Sequence, residues 1–242
     1  MKIHCLQHVP FEGLGSIQGW AHSRSHALAV THFFRGATLP PAEQVRLLVV
    51  LGGPMSVHDE ARYPWLADEK RFVERVAAAG GHVLGVCLGA QLVACVLGAQ
   101  VRANPEREIG WLPVETTPAA RSTTLFGAFP ERILAFHWHG ETFDIPTGAL
   151  HVARSAGCAN QAFVYDERLV GLQFHLEMTP SGARQIIAAC GAESMVASRY
   201  VQQPLAMLGH PHRFGDINVA MHELLDRLSQ AATSARRLAG VT

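Results

Sequence analysis

The sequence is short of most features that would point to a function at once. Its 242 residues carry 20 Lys and Arg against 20 Asp and Glu, so the formal net charge is zero. The basic footprint that nucleic-acid and other polyanion binders present is therefore missing. Cysteine is scarce and irregularly placed, and its odd count of five leaves at least one thiol unpaired, which argues against a disulfide framework and for a reducing, cytoplasmic setting. The longest aliphatic run, Leu47 to Leu51, is far below the roughly 20 residues that a membrane-spanning helix needs. Lys2, His4 and Gln7 break up the N-terminus, which leaves no apolar signal-peptide core. There is no HExxH helix, no CxxC pair, and no glycine loop followed by Lys-Ser/Thr, so neither a metal nor a nucleotide cofactor is expected. No internal repeat, low-complexity tract or Pro/Ser linker divides the chain.

What remains is an ordinary globular composition, 48% hydrophobic with 14 histidines, sized for one domain with an appendage. Short aliphatic runs alternate with segments of helical period, the pattern of a parallel sheet covered on both faces. Ala27 to Phe34 and Val45 to Leu51 read as buried strands, the second broken by Gly52-Gly53-Pro54. A helix is expected from near Pro64 to Gly80-Gly81, with Leu66, Phe72, Val73, Val76 and Ala77 as its apolar stripe. His82 to Val86 reads as the next strand. It runs almost directly into a helix that buries Leu92, Val93, Val96 and Leu97 and stops at Gly98. From Ile109 to Phe174 the pattern is mostly β, with short segments at Trp111–Thr116, Ile133–His137, His151–Ser155, Ala162–Tyr165 and Val170–Phe174 joined as hairpins. The last third reads as helical. Met221, Leu224, Leu225, Leu228, Ala231, Ala232 and Ala235 form a stripe, Asp216 or Asn218 serves as cap, and Gly240 as stop. The partition expected is residues 1–190 as one catalytic-type domain and 191–242 as a helical extension packed on it.

Gly85-Val86-Cys87-Leu88-Gly89-Ala90-Gln91 carries the most chemistry. It has the glycine–x–nucleophile–x–glycine spacing of a nucleophile elbow and lies between an expected strand and an expected helix. The flanking glycines permit a sharp turn and close strand–helix approach. That turn would set Cys87 at a helix N-terminus, where amides and the helix dipole favour a thiolate. The Leu88 N–H would then face an oxyanion forming on an attacked carbonyl. A buried, inert cysteine is the competing reading for this motif alone, and the better one for Cys5, Cys95, Cys158 and Cys190. In Gln173-Phe174-His175-Leu176-Glu177, positions i and i+2 share one side of a strand. Glu177 can therefore orient the His175 ring while Phe174 and Leu176 face the core. Gly53, in the turn closing another strand at the same edge, is a candidate second oxyanion donor.

Taken in this order, the motifs resemble those of the class I (triad-type) glutamine amidotransferases, and most closely the glutaminase domain of GMP synthase. The similarity runs from about Ile3 to Ala189. It implies a flavodoxin-like, doubly wound, mostly parallel α/β sheet with a small antiparallel β region and a C-terminal helical extension. It further implies that Cys87 attacks the γ-amide of glutamine, with His175 as base, Glu177 as its orienter, and Gly53 and Leu88 as oxyanion donors. Gly52, Gln91 and the backbone around His139-Gly140-Glu141 would contact the substrate, and Glu108-Ile109-Gly110-Trp111 would lie at the rim. Two departures stand out. Leu176 occupies a position between His and Glu where the family usually has proline, and Met178 to Thr242 is too short for an ATP-using synthase domain. The expectation is a stand-alone cysteine hydrolase that either supplies ammonia to a separate synthase subunit or cleaves γ-glutamyl compounds itself. A homodimer through the apolar C-terminal helix face is compatible with the pattern, as is docking of that face on the sheet. A non-catalytic binding domain should have a broken triad, and this one is complete. A metal enzyme could use His137-Trp138-His139 or His210-Pro211-His212, but exposed loop histidines are the simpler reading.

Overall fold

Four consecutive aliphatic residues, Leu47 to Val50, form a strand buried on both faces, which requires layers above and below it. The computed structural model describes residues 1–239 and supplies those layers. Five parallel strands form one arm of a nine-stranded sheet: β1 (Lys2–Gln7), β2 (Ala27–His32), β3 (Leu47–Val50), β4 (His82–Val86) and, later in the chain, β9 (Leu169–Leu172). The sheet order is β2-β1-β3-β4-β9-β8-β7-β5-β6. Its second arm is antiparallel and comprises β5 (Val101–Thr116), β6 (Arg132–Phe143), β7 (Leu150–Ser155) and β8 (Ala162–Tyr165).

Side chains alternate between two cores, as the pleat demands. Leu47, Val49 and Leu51 face one core with Leu84, Val86, Val170 and Leu172. Leu48 and Val50 face the other with Val83 and Leu169. Helices α2 (Trp65–Ala78) and α3 (Leu88–Val96) cover the second face. Helices α1 (Ser16–Ser23) and α6 (His212–Ala239) cover the first, with α4 (Pro180–Cys190) packed beside them. Between α4 and α6 lies the short α5 (Pro204–Leu208).

Several local readings need correction. Strand β2 lies at the sheet edge and is half exposed, and its last expected residues, Phe33 and Phe34, turn into a 3₁₀ segment. The antiparallel arm is longer than the hydrophobic segments suggested. β5 begins ten residues before Trp111 and passes through Asn104-Pro105 by a register shift between Ala103 and Glu108, the kind of irregularity that admits proline in a strand. α6 begins at His212, so Asp216 and Asn218 are inside the helix and cap nothing. Met221, Leu224, Leu225 and Leu228 of its stripe are fully buried against the sheet. The side chain of Ala235 and the stop at Gly240 lie outside the described residues. No helix in the described residues is long and apolar enough to cross a membrane.

Candidate active site

Strand β4 ends at Val86, and α3 begins two residues later. Cys87 between them has φ 53° and ψ −109°, a backbone conformation that costs a non-glycine residue energy and is concentrated at functional sites. The neighbouring glycines make the turn sterically feasible. A Cβ on Gly85 would lie 2.3 Å from the Gly89 carbonyl oxygen, and one on Gly89 would lie 2.0 Å from that of Val50. Cys87 is 6% exposed and lines a cavity of about 630 Å³. Its S–H faces the Trp138 carbonyl at 3.7 Å, and the Gln173 amide donates to it at 3.6 Å. Leu88 is the first residue of α3, so its N–H has no acceptor within the helix.

His175 lies beyond the end of β9, which stops at Leu172, rather than within it. Its N–H bonds the Phe136 carbonyl at 2.8 Å, and this isolated bridge to β6 fixes the segment. His175 Nδ1–H donates to Glu177 Oε1 at 2.6 Å, and both side chains are buried. Nε2, also buried, has no hydrogen-bond partner. Burial opposes a charge on this ring, but Glu177 and the adjacent Cys87 outweigh it and hold the pKa well above the usual histidine value. Phe174 and Leu176 are fully buried in the core, so leucine does here the packing that the alternation requires. Glu177 is held from behind: the Ser16 N–H bonds its carbonyl at 2.8 Å, and Gly15 sits so close that a Cβ would meet that oxygen at 2.0 Å.

The remaining expected residues gather around the same cavity. Gly53, Gln91, His139, Gly140 and Glu141 line it together with Cys87. Gly52 packs between two side chains; a Cβ there would lie 2.3 Å from Glu12 Oε2 and 3.2 Å from His175 Cε1. Gln91 is buried and donates to Gln173 Oε1 at 3.1 Å, so the two glutamines form a chain ending at the Cys87 sulfur. Ser56 Oγ donates to Glu141 Oε1 at 3.0 Å, which ties the loop after β3 to β6.

A family profile described as glutamine amidotransferase class-I matches residues 23–192. The chain belongs to the class I glutamine amidotransferase family. It is 30% identical over 237 residues to the glutamine amidotransferase-like protein YfeJ of Salmonella typhimurium, covering 96% of this chain and 98% of that one. The crystal structure of a glutamine amidotransferase from Thermotoga maritima superposes with a TM-score of 0.85 at 32% identity, over 94% of this chain and 97% of that one. The GMP synthase of Thermomicrobium roseum is 32% identical over 166 residues, which is 65% of this chain but only 29% of the synthase. The chain's matches to GMP synthases span only 24% to 29% of their length.

Three features of this amidotransferase fold escaped the motif reading. Glu12, from the loop after β1, lines the cavity beside Gly53 and Cys87. Burial pushes its carboxyl up to about 7, with His175 and His8 pulling the other way. Cys190 also lines the cavity, but burial pushes its thiol up to about 11, so it stays protonated at neutral pH. Third, the His137-Trp138-His139 histidines are buried on β6 rather than exposed in a loop. Glu108 on β5 accepts from Ser155 Oγ at 2.7 Å and Gln161 Nε2 at 2.6 Å, and His139 Nε2 and His137 Nδ1 lie 3.0 Å and 3.6 Å from its carboxylate. His139 Nδ1–H donates to the Glu141 carbonyl at 3.0 Å. Glu108, His137 and His139 are, among the described residues, the group whose donor atoms converge enough to hold a metal ion. The carboxylate's bonds to Ser155 and Gln161 tie β5 to β7 and to the residue just before β8. His210 and His212 are exposed, at and just before the start of α6.

Proposed function

We propose that this amidotransferase-like protein is a cysteine hydrolase that cleaves the γ-amide of glutamine through a glutamyl thioester and releases ammonia. The observation behind this reading is Cys87 on a strained elbow at the cavity wall with the His175–Glu177 pair beside it. In the first half-reaction the Cys87 sulfur bonds to the γ-carbon. His175 takes the thiol proton and delivers it to the departing nitrogen as the C–N bond breaks. His175 then activates water, which adds to the thioester and returns the sulfur, so that glutamate leaves. Glu177 keeps the Nδ1 proton in place and stabilises the imidazolium. The Gly53 and Leu88 N–H groups are assigned to the oxyanion. Gly52, Gln91 and the His139-Gly140-Glu141 backbone are assigned to substrate contact. The ammonia would go to a separate synthase subunit, as the likeness to the GMP synthase glutaminase region suggests.

A second reading, hydrolysis of a γ-glutamyl peptide or amine without a synthase, is favoured by the cavity. Its volume of about 630 Å³ is in the range that holds drug-sized ligands, and the carboxyl of Glu12 stands in its wall. The deciding experiment compares free glutamine, γ-glutamyl dipeptides and glutathione-like substrates for release of glutamate and amine, with Cys87→Ser as control. Turnover of any of these that vanishes in Cys87→Ser supports the hydrolase, and the preferred leaving group chooses between the readings. Absence of turnover across the panel, together with no adduct at Cys87 from a glutamine-like electrophile, would overturn both.

A further inference from the structure

The Gly52–Gly53 peptide faces two ways. A trans peptide is planar, so its carbonyl and N–H point in opposite directions. Between two glycines such a unit can rotate at little steric cost, and one orientation would turn an oxygen rather than an N–H toward the reacting carbonyl. Something has to choose. In this protein the Gly52 carbonyl accepts a hydrogen bond from Nδ1–H of His8 at 2.8 Å. His8 is 1% exposed, and its Nε2–H donates to Glu69 Oε1 at 2.8 Å. Both ring nitrogens face oxygen acceptors, so both carry protons while Glu69 is a carboxylate. The ring is packed against two aromatic side chains. It lies nearly parallel to Phe33 (centroids 5.8 Å apart, 7° between planes) and to Trp65 (5.6 Å, 17°). Gly53 is pressed on the same side chain, since a Cβ there would lie 3.1 Å from His8 Cβ and 3.0 Å from Leu88 Cδ2.

We infer that His8, anchored by Glu69, is a positioning residue that locks the Gly52–Gly53 peptide with its N–H toward the Cys87 side of the cavity. Neither residue touches the substrate. Burial disfavours a charged His8, but Glu69, the Gly52 carbonyl and Glu12 together raise its pKa above the usual value, in keeping with a ring that donates from both nitrogens. The lock presets the oxyanion donor before substrate arrives, so that no reorganisation is needed as charge develops. The catalytic part of this inference rests on the proposed hydrolysis. The peptide orientation does not.

Two isosteric variants separate the two bonds. His8→Asn places an amide N–H close to where Nδ1 stands and keeps the bond to Gly52. His8→Gln reaches instead toward Nε2 and keeps only the partner Glu69. With the best substrate of the panel, kcat should fall about 10²-fold or more in His8→Gln, while KM changes by less than about threefold. His8→Asn should recover at least about tenfold of that loss. Crystal structures supply a readout that needs no turnover: the Gly52–Gly53 peptide should be rotated in His8→Gln and unrotated in His8→Asn. An unrotated peptide in His8→Gln, or equal loss of kcat in the two variants, would overturn the lock. If the wild-type protein turns over nothing, the hydrolase reading fails, and the peptide orientation in His8→Gln still decides the lock. Should His8→Gln fail to fold, His8→Phe, which keeps the ring stack and removes both donors, takes its place with the same two readouts.

Discussion

Lowering the pH from 7 to 5 should cost this protein a measurable part of its stability, because three histidines are buried in their neutral form. Burial depresses His4 and His82 to about 4 and His137 to about 3. In the unfolded chain each titrates near 6.5. The unfolded state therefore binds more protons than the native state across this window, and stability rises with pH there and is lost as pH falls. At pH 5 each histidine costs about 2 kcal/mol relative to pH 7, and the three together about 5–6 kcal/mol. Glu12 works in the opposite sense: its folded pKa of about 7 lies above the unfolded value, so protonation of the native state returns about 2 kcal/mol. His8 and His175 have raised values. Between pH 7 and pH 5 the native state holds protons at these two positions that the unfolded chain is still taking up, so together they return up to about 1.5 kcal/mol. The expected net loss is about 2 kcal/mol, a measurable share of the roughly 5–15 kcal/mol typical of a domain. Urea titrations followed by tryptophan fluorescence at pH 7 and pH 5 measure it directly. His137→Phe should remove about 2 kcal/mol of the acid sensitivity. Equal stability at the two pH values, or an undiminished slope in His137→Phe, would refute the reasoning.

Replacing Glu177 by Gln keeps the shape but removes the charge that raises the His175 pKa; kcat should drop on the order of 10²–10⁴-fold, and the acid limb of the pH–rate profile should move to lower pH. Gly89→Ala drives a methyl to 2.0 Å from the Val50 carbonyl oxygen, so α3 must lift off β3; denaturant titration should show a loss of about 3 kcal/mol or more. Asn218→Ala removes hydrogen bonds to the Leu176 and Met178 carbonyls, both 2.9 Å. It should cost about 1–3 kcal/mol by the same assay and lower kcat as well, because the freed segment carries Glu177.

The parts of this molecule that could be read from the sequence are those whose causes are local. The Cys87 elbow needs only a strand, two glycines and a helix within a dozen residues, and each leaves its own mark on the chain. The same holds for α2, whose period and Gly80-Gly81 stop are contiguous. The start of α6 is hard to place from sequence because the polar Asp216 and Asn218 look like caps, whereas the buried Phe214 and Ile217 already belong to the helix face. β5 was cut short because Asn104-Pro105 normally ends a strand, and only the partner strand β6 reveals the register shift that keeps it going. His8, Glu12 and Glu69 left no signal at all. Each is a single polar residue with no period, and its role exists only once β1, α2 and the Gly52–Gly53 turn have met.

The C-terminal segment shows how far that non-local logic extends. From the sequence it reads as an appendage with an apolar stripe and no chemistry of its own. In the fold α6 lies on the same face of the sheet as α1, and Asp226 joins the two by accepting from Trp20 Nε1 at 2.8 Å and pairing with Arg24. Helix α1 begins at Ser16, whose N–H holds the Glu177 carbonyl, and Asn218 of α6 holds the carbonyls on either side of Glu177. The backbone that carries Glu177 is thus fastened by three hydrogen bonds, one from the first helix and two from the last. The Glu177 carboxylate in turn sets the His175 ring. A 2.6 Å hydrogen bond between two buried side chains tolerates little displacement before it lengthens and weakens. The packing of α6 on α1 therefore acts on the geometry of the His175–Glu177 pair, although neither helix contributes a side chain to the lining of the Cys87 cavity. It follows that α6 cannot be trimmed as a passive extension without loosening the His175–Glu177 pair.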